Sequence, residues 1–189
     1  SVLAAIIISA AIRIAILIQT SGVTYAGYQH LTQITHIAET GLPLTTDPTT
    51  WGGAIYNTLP LYHYLSAFAS ILLPIPHAAL IIANTAALAI PIAVYGLAKE
   101  VTGQYHAPAI IAIASALTPL LYAQTVITAD PLALAIPLFL GAYYYFLRLG
   151  KTPKDQTLFL ILTIALTATH ALSVVLVLAM LVTLLLKRI

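Results

Sequence analysis

The sequence predicts an all-α fold, a polytopic bundle of transmembrane helices whose long outer first loop carries an amphipathic interfacial helix. Three observations predict it. Only 6% of the 189 residues are charged, where a soluble domain carries about a quarter. Mean hydropathy is +1.01. Apolar runs near the roughly 20 residues that cross a hydrocarbon layer follow one another along the chain. The expected unit is a single membrane domain over residues 1–189.

The first run, Val2 to Ile18, is apolar except for Ser9 and Arg13. It is long enough to be an anchor that stays rather than a signal peptide that is removed. The start at Ser1 rather than Met suggests processing or a fragment. Arg13 either snorkels to an interface or faces a partner inside the bundle, and snorkelling is the favoured expectation. Residues 19–59 form a long polar outer loop, with turn signals at Gly41-Leu-Pro43, Asp47-Pro48 and Gly52-Gly53. Within it, Leu31, Ile34 and Ile37 recur at near-helical spacing. That spacing predicts a short amphipathic helix over Tyr28 to Thr40, ending at Gly41 and lying along the membrane surface.

Pro60 to Leu73 is apolar and aromatic but too short for a full span, which suits an interfacial or re-entrant segment. His77 to Ala98, containing Pro91, and Pro108 to Val126, containing Pro119, are span candidates in which proline predicts kinks rather than breaks. Leu132 to Leu147 follows Asp130-Pro131, and a basic turn from Arg148 to Lys154 comes next. Thr157 to Leu186 is too long for one untilted span and is interrupted by Thr169-His170. Positive residues favour short cytoplasmic loops. With the amino terminus inside, residues 60–73 not crossing and the last run split at His170, there are about six crossings. Lys99, Arg148, Lys151, Lys154, Lys187 and Arg188 then share the cytoplasmic side, and Asp47, Asp130 and His170 share the outer one.

Composition also excludes whole classes of function. Seven Lys and Arg against five Asp and Glu give a net charge of +2, too little for a nucleic-acid footprint. The chain has no cysteine, which rules out disulfides, iron–sulfur clusters and thiolate zinc sites.

Ionisable groups at membrane depth are costly and are functional candidates by default. Asp130 before Pro131 also suits a helix N-cap, and Asp47 before Pro48 suits a turn that bonds its own backbone. For His170 a buried, hydrogen-bonded neutral ring is the plainer expectation. His30 and His36, six apart, fall on different helix faces, which argues against a paired metal site. Glu39 is expected to be solvated. Tyr56, Tyr62, His63 and Tyr64 line a lipid-facing groove or form an interfacial aromatic belt, the belt being the plainer expectation.

Order and motif together resemble the amino-terminal membrane module of GT-C glycosyltransferases, which include oligosaccharyltransferase catalytic subunits and dolichyl-phosphate-mannose protein mannosyltransferases. The stretches that carry the resemblance are Tyr28-Gln-His30-Leu31, Ile37-Ala-Glu-Thr-Gly41-Leu-Pro43, Asp47-Pro48 and Gly52-Gly53. Leu59-Pro-Leu-Tyr-His63-Tyr-Leu65, Leu97-Ala-Lys-Glu-Val-Thr-Gly103, Thr128-Ala-Asp130-Pro131 and Thr169-His170-Ala-Leu-Ser173 follow in order. The resemblance implies transfer of a sugar from a polyprenyl-phosphate donor at the outer membrane face. It implies an acidic residue in each of the first two outer loops, acting as base or as ligand to a divalent cation, Mg or Mn.

Asp130 matches the second acidic position and Asp47 is the candidate for the first. His30, Tyr62, His63 and His170 are the implied substrate-binding residues, and membrane lipid and other membrane subunits are the implied partners. Relatives usually carry an aspartate shortly before the Tyr-Gln-His-Leu stretch, where this chain has Tyr25-Ala26-Gly27. Three explanations stay open: Asp47 or Glu39 supplies that carboxylate, the residue has been substituted, or the protein is a non-catalytic subunit that binds lipid or partner helices. The small-residue face of Ala107, Ala112, Ser115 and Ala116 would serve such a subunit. The family usually continues beyond the point matching Lys187-Arg188, so half an enzyme or a reduced one is expected. A small transporter ranks last, since no acidic residue lies mid-helix and no internal repeat is evident.

Overall fold

Helix dominates, as the apolar periodicity requires. The structure is a computed structural model that describes residues 1–20, 24–47, 54–55, 59–104, 106–118, 121–122 and 125–186. In chain order the helices are α1 (Val2–Gln19), α2 (Tyr25–Thr40), α3 (Leu61–Ala69), α4 (Ile75–Ala87), α5 (Ile90–Thr102), α6 (His106–Ala116), α7 (Leu132–Leu147), α8 (Pro153–Thr167) and α9 (Leu172–Leu186). The long loop contributes a two-residue antiparallel pair, Thr46 opposite Ile55 and Asp47 opposite Ala54.

Two stretches are long and apolar enough to cross a membrane: Val2–Gln19, and Ile75–Thr102, in which α4 runs into α5 through a turn at Leu88-Ala89. The α6, α7 and α9 helices are apolar but shorter. The single kinked helix expected over Pro108 to Val126 is corrected, because α6 ends at Ala116 and a turn follows at Leu117. The last apolar run does divide at His170, where Ala168 to Ala171 separate α8 from α9.

The surface is apolar and several polar side chains are inside. On α1 the buried residues are Ala5, Ser9 and Arg13, spaced four apart on one face, while Leu3, Ile7, Ile14 and Ile18 are exposed. The α9 helix likewise exposes Val174, Val177, Leu178, Leu181 and Leu185. Gln33, His63, Thr125, Asp155 and Thr169 are buried with Arg13.

The stripe read on α2 is real, but its partner is protein rather than the membrane surface. Leu31, Ile34 and Ile37 are buried against Tyr62 of α3, Ala79 and Ala83 of α4 and Ala133 of α7. Thr24 caps the start of α2 by accepting from the Gly27 amide. Gly41 ends it with φ of +77°, bonding back to the Ile37 carbonyl, a left-handed conformation that glycine adopts without penalty. Small residues let the other helices approach closely. Ala112 and Ala116 of α6 pack against Ala5 of α1, so these two residues of the small-residue face meet the chain's own first helix.

Candidate functional site

At one end of the bundle, four segments far apart in sequence meet around a cavity of about 250 Å³ lined by His30, Leu59, Asp130, Pro131, Thr169, His170 and Ala171. The α2 helix brings His30, the turn before α7 brings Asp130, and the break between α8 and α9 brings His170. Asp130 Oδ1 accepts from the Leu132 amide at 2.7 Å, the cap its position predicts. His170 Nδ1 accepts from the Leu172 amide at 3.1 Å. Each side chain therefore caps the helix two residues on. With Nδ1 accepting, the neutral His170 ring carries its proton on Nε2, where it is a donor. Ala129, fully buried just before Asp130, has φ of +51°. A non-glycine residue in that region is held there by its surroundings, at a cost of order 1 kcal/mol.

His30 Nδ1 lies 3.1 Å from His63 Nε2, so one ring proton is shared between the two. Burial pushes the His63 pKa down to about 3, and the neighbouring His30 lowers it further within that shift, while the Leu59 carbonyl opposes it. Burial also lowers the His30 pKa, with the Asp130 charge acting against it and His170 acting with it. Both imidazoles are neutral near pH 7.

Of the residues expected to bind substrate, His30 and His170 are on the cavity wall. His63 stands behind His30. Tyr62 is in the core, its hydroxyl donating to the Ala79 carbonyl at 3.0 Å; burial pushes the Tyr62 hydroxyl pKa up. The aromatic belt is corrected accordingly: Tyr62 and His63 are buried, and Tyr64 is exposed, with its hydroxyl donating to the Gly41 carbonyl at 3.1 Å. Tyr56 lies outside the described residues. The backbone of Asp47 pairs with Ala54, but its side chain, like those of Tyr25 and Ala26, lies outside what the structure describes.

Among the described residues no three His, Asp or Glu side chains are grouped to hold a metal ion. One carboxylate and two imidazoles are a poor match for Mg²⁺, which takes oxygen ligands in octahedral array. A wider, open groove of about 710 Å³ runs along the other flank of α2, past Tyr28, Thr32, His36 and Glu39 to Pro76. His36 thus faces away from His30, as the six-residue spacing predicts. Glu39 is exposed, as expected.

Far from the cavity, ionised side chains join the ends of three helices. Arg148 after α7 bonds Glu100 of α5 at 3.3 Å and Asp155 of α8 at 3.2 Å, and Lys151 also pairs with Glu100. The 16 residues of α7 separate the two polar zones by about 24 Å at 1.5 Å per residue.

Sequence reasoning missed the network around Arg13. Arg13 points inward rather than snorkelling. Its Nη1 donates to Asn84 Oδ1 at 3.1 Å and to the Thr125 carbonyl at 3.4 Å, and its Nη2 donates to Thr125 Oγ1 at 2.9 Å. The guanidinium also lies 5.1 Å from the centre of the Tyr122 ring. The signals available are Arg13 itself and the polar pair Asn84-Thr85, each within an apolar run.

No family model matches the sequence, and no curated protein matches it either.

Proposed function

We propose that this chain is a GT-C-like membrane module that transfers a sugar from a polyprenyl-phosphate donor at the outer membrane face. The observation that carries the reading is the convergence of His30, Asp130 and His170 from three distant segments on one cavity. An exposed apolar surface around buried polar groups supports a membrane setting. The distance between the cavity and the Arg148 cluster approaches the roughly 30 Å of a hydrocarbon core. The module crosses about six times, with its amino terminus and the basic cluster cytoplasmic and α2 and the cavity outside.

In this reading the Asp130 carboxylate takes the proton of an acceptor hydroxyl or amide as that group attacks the anomeric carbon. The bond from that carbon to the phosphate oxygen breaks, and polyprenyl phosphate leaves. His170 Nε2–H and the His30 ring hydrogen-bond the departing phosphate. The test is transfer of labelled sugar from a polyprenyl-phosphate donor by membranes carrying the chain, with Asp130→Asn and His170→Ala in parallel. Transfer that is lost in both supports the enzyme. Donor lipid that binds without transfer, in the parent as in the variants, favours the second reading, a non-catalytic lipid-binding subunit. The residues Tyr25-Ala26-Gly27 favour that second reading, because they leave the first loop without its usual aspartate.

A further inference from the structure

The buried Arg13 is the least expected group in the molecule, and its partners suggest what it does. A guanidinium inside an apolar bundle is costly unless its donors are matched. Among the described residues no carboxylate reaches it. Its partners are instead the neutral Asn84 and Thr125, and Thr125 opens the segment that leads to Asp130.

That segment is tied down residue by residue. Thr125 accepts from Arg13 of α1 at both its hydroxyl and its carbonyl. The Val126 carbonyl accepts from Asn84 Nδ2 of α4 at 3.0 Å. The Ile127 carbonyl accepts from the Thr24 amide, at the cap of α2, at 3.1 Å. Three consecutive residues are thus fastened to three different helices. Ala129 then takes its left-handed conformation and Asp130 follows. Asn84 joins two of the ties, because its Oδ1 holds Arg13 while its Nδ2 holds Val126.

We infer that Arg13, acting with Asn84, is a positioning residue that clamps the 125–130 segment and so sets where Asp130 stands in the cavity. Arginine suits the role, since its planar fork serves three acceptors at fixed angles and a lysine ammonium does not. The consequence for sugar transfer rests on Asp130 acting as the base. The clamp itself is a matter of geometry and can be measured without any activity.

The chain has no cysteine, so an introduced pair reports alone. Pro131→Cys and Ala171→Cys put one thiol on each side of the cavity without touching Asp130 or His170. The measurement is the initial rate of bridging by a short bifunctional thiol reagent in the full chain in membranes, with helix content and melting temperature followed in parallel. Arg13→Met is expected to slow bridging about tenfold, the scale of losing buried hydrogen bonds from a charged donor. Arg13→Lys is expected to recover part of the rate. Thr125→Val, which replaces the hydroxyl and so loses the bond from Arg13 together with the local one to the Leu121 carbonyl, is expected to slow it about threefold, and this variant decides the matter if Arg13→Met does not fold. An unchanged bridging rate in folded Arg13→Met, or in Thr125→Val where Arg13→Met fails to fold, overturns the clamp. Bridging that slows as expected in a chain with no transfer activity upholds the clamp and counts only against the transferase reading.

Discussion

His30 Nδ1 and His63 Nε2 share one proton across 3.1 Å, joining the wall of the cavity to a fully buried ring behind it. Burial holds the His63 pKa near 3, against about 6.5 in an unfolded chain. Below pH 6.5 the unfolded chain therefore binds a proton that the folded chain does not. Stability is unaffected by this group above that pH and falls as the pH drops from about 6.5 toward 3. The slope is at most about 1.4 kcal/mol per pH unit for each proton. Melting temperatures in detergent from pH 7.5 to pH 4 should fall in the parent and fall less steeply in His63→Gln. Equal slopes in the two would remove His63 from the explanation.

Asp130 has a structural task and a proposed chemical one, and two substitutions separate them. Asp130→Asn keeps an oxygen for the Leu132 amide but loses the charge, so melting should barely move while transfer falls by about 10²- to 10⁴-fold, the usual contribution of a positioned base. Asp130→Ala loses the cap as well and should cost about 1 kcal/mol of stability in addition. Full transfer activity in a folded Asp130→Asn protein would rule the carboxylate out as the base.

Local features were legible in the sequence because they depend on neighbours a few residues away. The stripe of α2, its end at Gly41, the cap at Asp130 and the break at His170 are of this kind. Long-range pairings left no such mark. His63 meets His30 across 33 positions, and Thr125 meets Arg13 across 112. A single arginine in an apolar helix reads first as snorkelling until its acceptors are known. The amphipathic pattern of α2 likewise reveals that one face is covered, but not whether lipid or protein covers it.

Ala129 tests how firmly the approach to Asp130 is held. Its φ of +51° and complete burial leave no room for a branched side chain. Ala129→Val should destabilise by about 2 kcal/mol or more, since strain in the left-handed region adds to overpacking. The measurement is the denaturation midpoint of the purified protein, and a shift of under half that size would mean the segment relaxes without difficulty.

The opposite end of the bundle offers a check on the helix arrangement that is independent of the cavity. The Arg148 guanidinium bonds Asp155 and, with a further bond from Thr152, holds the Asp155 carboxyl pKa below its ordinary range. A carboxylate whose folded pKa is depressed adds stability above its unfolded pKa of about 3.9 and loses it as the pH falls toward the folded value. Arg148→Met removes the largest cause of that depression. The Asp155 carboxyl resonance should then titrate higher, nearer the ordinary aspartate range, and the stability lost between pH 5 and pH 2 should shrink. Because Arg148 also bonds Glu100, the same substitution loosens α5 from the turn between α7 and α8. Solvent screens such pairs, and the effect at neutral pH should be small beside that of Ala129→Val. An Asp155 titration that does not move in Arg148→Met would mean that the helix ends are not joined as described.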